Sequence, residues 1–164
     1  MVDCDDCLGL DDLKKEYGEL RKKYNLPDFF ELNKLFDIED VDAETDFLLR
    51  KIRRIVSERI AGYLRFVEVV LNPSNGPMFF FKMIKKLEEE DRKNLLEVSD
   101  ILGKFEVEVL ILDIDYSEEN EAEFVNNVFE VFEKEIKGKL LNIIKKMNNG
   151  NAGVKKNSDE GYVG

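Results

Sequence analysis

Apolar residues in this chain return at alternating steps of three and four, and that rhythm, held through several separate stretches, confines it to helices. Leu10, Leu13, Tyr17, Leu20 and Tyr24 make the first stripe, and Leu49, Ile52, Val56, Ile60, Tyr63, Val67 and Val70 the longest. Leu95, Val98, Leu102, Phe105, Val109, Leu112 and Tyr116 make another, and Val125, Phe129, Phe132, Ile136, Leu140, Ile143 and Met147 the last. Side chains so spaced share one face of an α-helix, and each face has to be covered. The three prolines, Pro27, Pro73 and Pro77, all fall between stripes, where a helix has to stop.

The pattern predicts a first helix over residues 10–24 and a short second one after Pro27, carrying Phe29, Phe30, Leu32, Leu35 and Phe36. An acidic run over 37–46 follows, with Asp42 the expected N-cap of a third helix over 43–71. Pro77 opens a fourth helix to about residue 91, whose Met78, Phe79, Phe80 and Phe81 read as core. Residues 105–109 alternate like a strand, but the wider window repeats like a helix and no second strand is available to pair with, so 95–116 is expected to be helical, with Val109 on its buried face. Ser117 is placed to cap the last helix, with Glu118 and Glu119 in its first turn. The expected architecture is all-α: a helical bundle of about five or six helices over residues 10–149, the last two forming a long antiparallel hairpin. Residues 1–9 read as a flexible acidic N-terminus and 150–164, polar and aperiodic, as a disordered tail.

A net charge of −11 makes nucleic acid an unlikely partner, because phosphate neutralisation needs the opposite sign. No apolar run is long enough to span a bilayer, and no signal peptide opens the chain, so a cytoplasmic location with no membrane partner is expected. The absence of histidine removes Ser-His-Asp and Cys-His catalysis, His-ligated zinc and carboxylate di-iron sites. No motif implies a cofactor.

The stretches Asn25-Leu26-Pro27-Asp28-Phe29, Glu31-Leu32-Asn33, Phe36-Asp37-Ile38-Glu39 and Glu44-Thr45-Asp46-Phe47-Leu48-Leu49-Arg50 resemble the opening half of a set of small, uncharacterised archaeal helical proteins with no assigned activity. The resemblance spans residues 24–54 and continues beyond them only as helix order. It implies an archaeal source and carries over no catalytic residue.

Three constellations bear on function. Cys4 and Cys7 form a lone C-x-x-C pair, a candidate for redox chemistry or metal binding, although a structural zinc site wants four ligands and one chain offers two. Asp113, Asp115, Glu118 and Glu119 crowd one turn without a nearby base and are a candidate cation site. An EF-hand is excluded, because Glu118 stands where its loop requires Gly and Phe124 where it requires Glu. Arg50, Arg53, Arg54 and Arg59 make the third helix basic and are candidates for binding an anion, the other use of such arginines being to pair with acids on neighbouring helices.

The function these features favour is a protein-protein interaction or scaffold module. The alternative is a binder of a small anionic ligand, or an enzyme, with an Arg/acid site between long helices. A small bundle has one core, yet Phe29, Phe30, Phe36, Phe79, Phe80, Phe81, Phe105, Phe124, Phe129 and Phe132 all need cover, and aromatics are what interface cores favour. The expected partner is a protein, or a second copy in a homodimer, met through the aromatic-rich surface of the second or fourth helix.

Overall fold

The computed structural model describes residues 5–43 and 45–149. In chain order it runs α1 (Asp5–Tyr24), α2 (Phe29–Phe36), α3 (Leu48–Leu71), a 3-10 turn (Pro73–Asn75), α4 (Met78–Ile84), α5 (Glu89–Ile114), α6 (Glu118–Val131), a π-helical turn (Phe132–Ile136) and α7 (Lys137–Asn149). No strand occurs among the described residues, and the domain is an all-α helical bundle. Residues 105–109 lie inside α5, so the three-four repeat prevails over local alternation. The helix α1 begins at Asp5, ahead of the expected residue 10, which puts Cys7 on its backbone. Cys4 and the tail expected over 150–164 lie outside the described residues.

Local chemistry sets the first boundaries. Asp28 caps α2 by accepting the Phe30 N–H at 3.0 Å, and the Tyr17 hydroxyl donates to the Pro27 carbonyl at 2.8 Å, tying α1 to the turn. Asp37 ends α2 in the left-handed region, φ 59°, with its N–H donating to the Asn33 carbonyl at 2.7 Å. The acidic run that follows is anchored by two apolar residues, since Ile38 and Val41 are both buried in the core. That anchoring delays α3: it starts at Leu48 rather than at residue 43, and Phe47, not Asp42, occupies its N-cap. Its 24 residues span about 36 Å.

The fourth helix is also shorter than its apolar pattern suggests, because a reciprocal capping box starts α5 at Glu89. The Glu88 side chain accepts from the backbone of Asp91, and the Glu88 N–H donates to Asp91 Oδ2 at 2.9 Å. Lys146 of α7 donates to both Asp91 oxygens, at 2.8 and 2.9 Å. Asp91 thus joins a helix start to a second helix.

α3 is the central element, packed against α5 and α6. Ile52, Val56 and Ile60 on α3 share the core with Leu95, Val98 and Leu102 on α5, and with Phe124, Val125 and Val128 on α6, all fully buried. α5 meets the final rod in reverse sequence order: Asp91 with Lys146, Glu97 with Lys139, Phe105 with Phe124. Val128, Phe132, Ile136 and Leu140 recur in steps of four, which an α-helix of 3.6 residues per turn would carry steadily off the core. The wider π turn over Phe132–Ile136 absorbs that drift and keeps them buried. Phe132 there meets Phe36 and Tyr63, with ring centroids 5.5 and 5.2 Å away. Val109 is half-buried, not wholly covered as its stripe implies.

Candidate functional site

Arg53 and Glu121 each fall on an apolar stripe, Arg53 between Leu49 and Val56 and Glu121 four residues before Val125, so folding carries both charges inside. There they find each other. Arg53 is 1% exposed and Glu121 0%; Arg53 Nε lies 2.5 Å from Glu121 Oε2, and Nη2 lies 3.3 Å from Oε1. Nη2 also bonds to Asp113 Oδ1 at 2.6 Å. One guanidinium on α3 thereby joins the end of α5 to the start of α6. Asp113 sits in the last turn of α5, where the helix dipole disfavours an acid. The hydrogen bond from Arg53 nevertheless holds the Asp113 carboxyl below its ordinary pKa, against a small opposing effect of burial. Burial works against the Arg53 charge, and the hydrogen bonds to Glu121 and Asp113 outweigh it, so the guanidinium holds its proton more firmly than usual.

The candidate anion and cation clusters therefore meet in Arg53 and Asp113. Their other members disperse. Arg59 pairs with Asp37 at 2.9 Å across to the end of α2. Glu118 accepts hydrogen bonds from the Tyr24 hydroxyl at 2.5 Å and from Lys23 at 2.9 Å, and these donors hold its carboxyl below the usual range. Glu119 accepts from the Ser117 hydroxyl at 3.2 Å, and Ser117 caps α6 by accepting the Asn120 N–H. Arg54 and Asp115 are exposed. Arg50 lays its guanidinium over the Tyr116 ring at 5.2 Å, and its buried Nε has no hydrogen-bond partner among the described residues. Among those residues no group of three or more Asp, Glu, Cys or His is arranged to hold a metal ion. Lys23, Tyr24 and Tyr116 belong to this end of the bundle, and nothing in their spacing announces it. Glu121 does carry a signal, as an acid in phase with the core.

A second kind of feature lies on the outside. On α5, Val107 (59% exposed), Leu110 (62%), Ile111 (61%) and Ile114 (87%) stand in solvent on the face turned away from Leu102, Phe105 and Leu112. On α4, Met78, Phe79 and Phe81 are exposed, which corrects their reading as core. The helix has only seven residues and is held by buried Ile84 and half-buried Phe80 and Met83, so the rest of the run points outward. Among the other phenylalanines, Phe29, Phe36, Phe105, Phe124 and Phe132 are buried, Phe129 is half-buried and Phe30 is exposed, under the Lys14 ammonium at 5.2 Å. A cleft of about 480 Å³ lined by Ser99, Asp100, Gly103, Lys104 and Val107 adjoins the α5 face. Another of about 390 Å³ is lined by Glu31, Lys34, Phe129, Glu133 and Lys137. No described helix is long and apolar enough to cross a membrane.

No protein-family model matches this chain, and no curated protein or solved structure matches it either.

Proposed function

We propose that this chain is a protein-protein interaction module whose working surface is the outer face of α5. The observation that carries this reading is the exposure of Val107, Leu110, Ile111 and Ile114 together on one face of a helix whose opposite face is firmly packed. Apolar patches of this extent on soluble domains mark places where another molecule docks. The net charge of −11 favours a protein over nucleic acid, and the acidic, histidine-free composition with two cysteines suits a cytoplasmic setting. The two most buried charges, Arg53 and Glu121, neutralise each other, which supports a binding role over catalysis at that centre. The test is binding of a hydrophobic fluorescent dye by the native chain. Leu110→Lys with Ile114→Lys should abolish most of the signal without lowering the melting temperature, and undiminished dye binding would move the working surface elsewhere.

A second reading, a binder of a small anionic ligand, is favoured by the buried, unpartnered Arg50 Nε beside exposed Arg54. A panel of carboxylates and phosphates in a thermal-shift assay tests it: stabilisation by one of them that is lost in Arg50→Met supports this reading, and a flat panel removes it.

A further inference from the structure

We infer that two copies of this chain meet through the α5 face, antiparallel, with a two-fold axis passing between Leu110 and Ile111. The inference rests on the interaction-module reading and names its partner.

Shape comes first. At about 100° per residue, Val107, Leu110, Ile111 and Ile114 fall within roughly 100° of arc, a compact face that a second helix covers at one crossing. Met78, Phe79 and Phe81 spread over roughly 160° around the seven residues of α4, so one partner helix cannot cover them together. The same face repeated on a second copy is its natural complement, because it is apolar, of one helix length and free of charge at its centre.

Area agrees. The four side chains expose on the order of 500 Å² between them, so two copies would bury about 1,000 Å², where specific interfaces begin.

Charge then sets the direction. In an antiparallel crossing centred between Leu110 and Ile111, residues equally distant on either side come level. Lys104 of one copy is therefore brought beside the acidic stretch holding Asp115 and Glu119 of the other, and symmetry makes this contact twice. Lys104 and Asp115 are both exposed and form no ion pair within one chain among the described residues. A parallel arrangement would set Lys104 beside Lys104 and acid beside acid.

The experiment is sedimentation equilibrium or light scattering on the full chain at micromolar concentrations. The wild type should show a species of twice 19.1 kDa. Leu110→Glu with Ile114→Glu should be monomeric at an unchanged melting temperature. Lys104→Glu or Asp115→Lys alone should weaken dimerisation about fivefold, and the two together should restore it, a rescue that a merely unfolded variant cannot give. A dimer that withstands every α5 substitution and is lost on Phe79→Glu overturns the inference and leaves the interaction reading on α4. A monomer that still binds hydrophobic dye overturns self-association and leaves the module with a different protein as its partner. A monomer that binds no dye overturns both.

Discussion

Arg53 Nη2 reaches Asp113 Oδ1 at 2.6 Å across 60 residues of chain while its Nε holds Glu121, so a single guanidinium fastens three helices. Glu121 is wholly buried and Asp113 is about half exposed, which makes the two contacts unequal. Removing Arg53 leaves the Glu121 carboxylate buried without compensation. Arg53→Ala is therefore expected to destabilise the domain by about 3–5 kcal/mol. Arg53→Met combined with Glu121→Leu should recover most of the loss, because an apolar pair of similar volume needs no desolvation. Urea unfolding of the two variants decides the matter, and equal losses would mean that packing, not charge, is the interaction at stake.

Acid should act on the fold in two opposite ways. Asp113 and Glu118 have carboxyls lowered by hydrogen bonds, from Arg53 and from Tyr24 with Lys23 respectively. Their contribution is present above the ordinary values of 3.8 and 4.5 and is lost as the pH falls through the folded values below them. Glu106 behaves in reverse: burial raises its carboxyl above 4.5, with Arg65 opposing, and its Oε1 is buried without a hydrogen bond. Its charge thus costs stability at neutral pH and relaxes below the folded value. Glu106→Gln should raise the melting temperature at pH 7, with the advantage fading below about pH 4. An advantage that persists in acid would point to an effect other than charge.

Gly103 lies within α5 with nothing inside 4 Å of where a Cβ would stand. Gly103→Ala should accordingly stabilise the isolated chain by about 0.5–1 kcal/mol, from helix propensity alone. A loss of stability would mean that a second molecule approaches the backbone there.

The joint between α4 and α5 depends on Asp91, which accepts from the Glu88 N–H and from Lys146. Asp91→Ala removes a cap together with a link to α7 and should cost about 1–2 kcal/mol. Hydrogen exchange should quicken first in residues 88–92. If protection is unchanged there, the box is not what starts the helix.

How far the fold can be read from residues alone follows from what each boundary depends on. The long stripes are legible because covering an apolar face is a local demand repeated many times, and they place α3, α5 and the final rod. The end of α4 is not, since residues 85–88 suit a helix and the break depends on Glu88 and Asp91 exchanging hydrogen bonds. The delayed start of α3 depends on Ile38 and Val41, two apolar residues in an acidic run whose burial only the tertiary fold shows. Arg53 and Asp113 are each visible as candidates, but they fall in clusters of opposite sign, and nothing local announces that the two ligand sets are each other's ligands. The outward turn of Met78, Phe79 and Phe81 escapes pattern reading for a related cause: aromatic residues at helical spacing look the same whether the seventh residue continues the helix or ends it.

The π turn at Phe132–Ile136 fixes the length of the chain as firmly as any side chain fixes a pocket. Excising one residue from its exposed side, such as Lys134, would close it to ordinary helix and rotate everything downstream by about 100°. Lys139 and Lys146 would then swing away from Glu97 and Asp91. Leu140, Ile143 and Met147 would turn out toward water. A deletion that looks harmless on the surface of this rod is thus a rewriting of its phase, and single-residue gaps should be selected against here far more strongly than any substitution at the same positions.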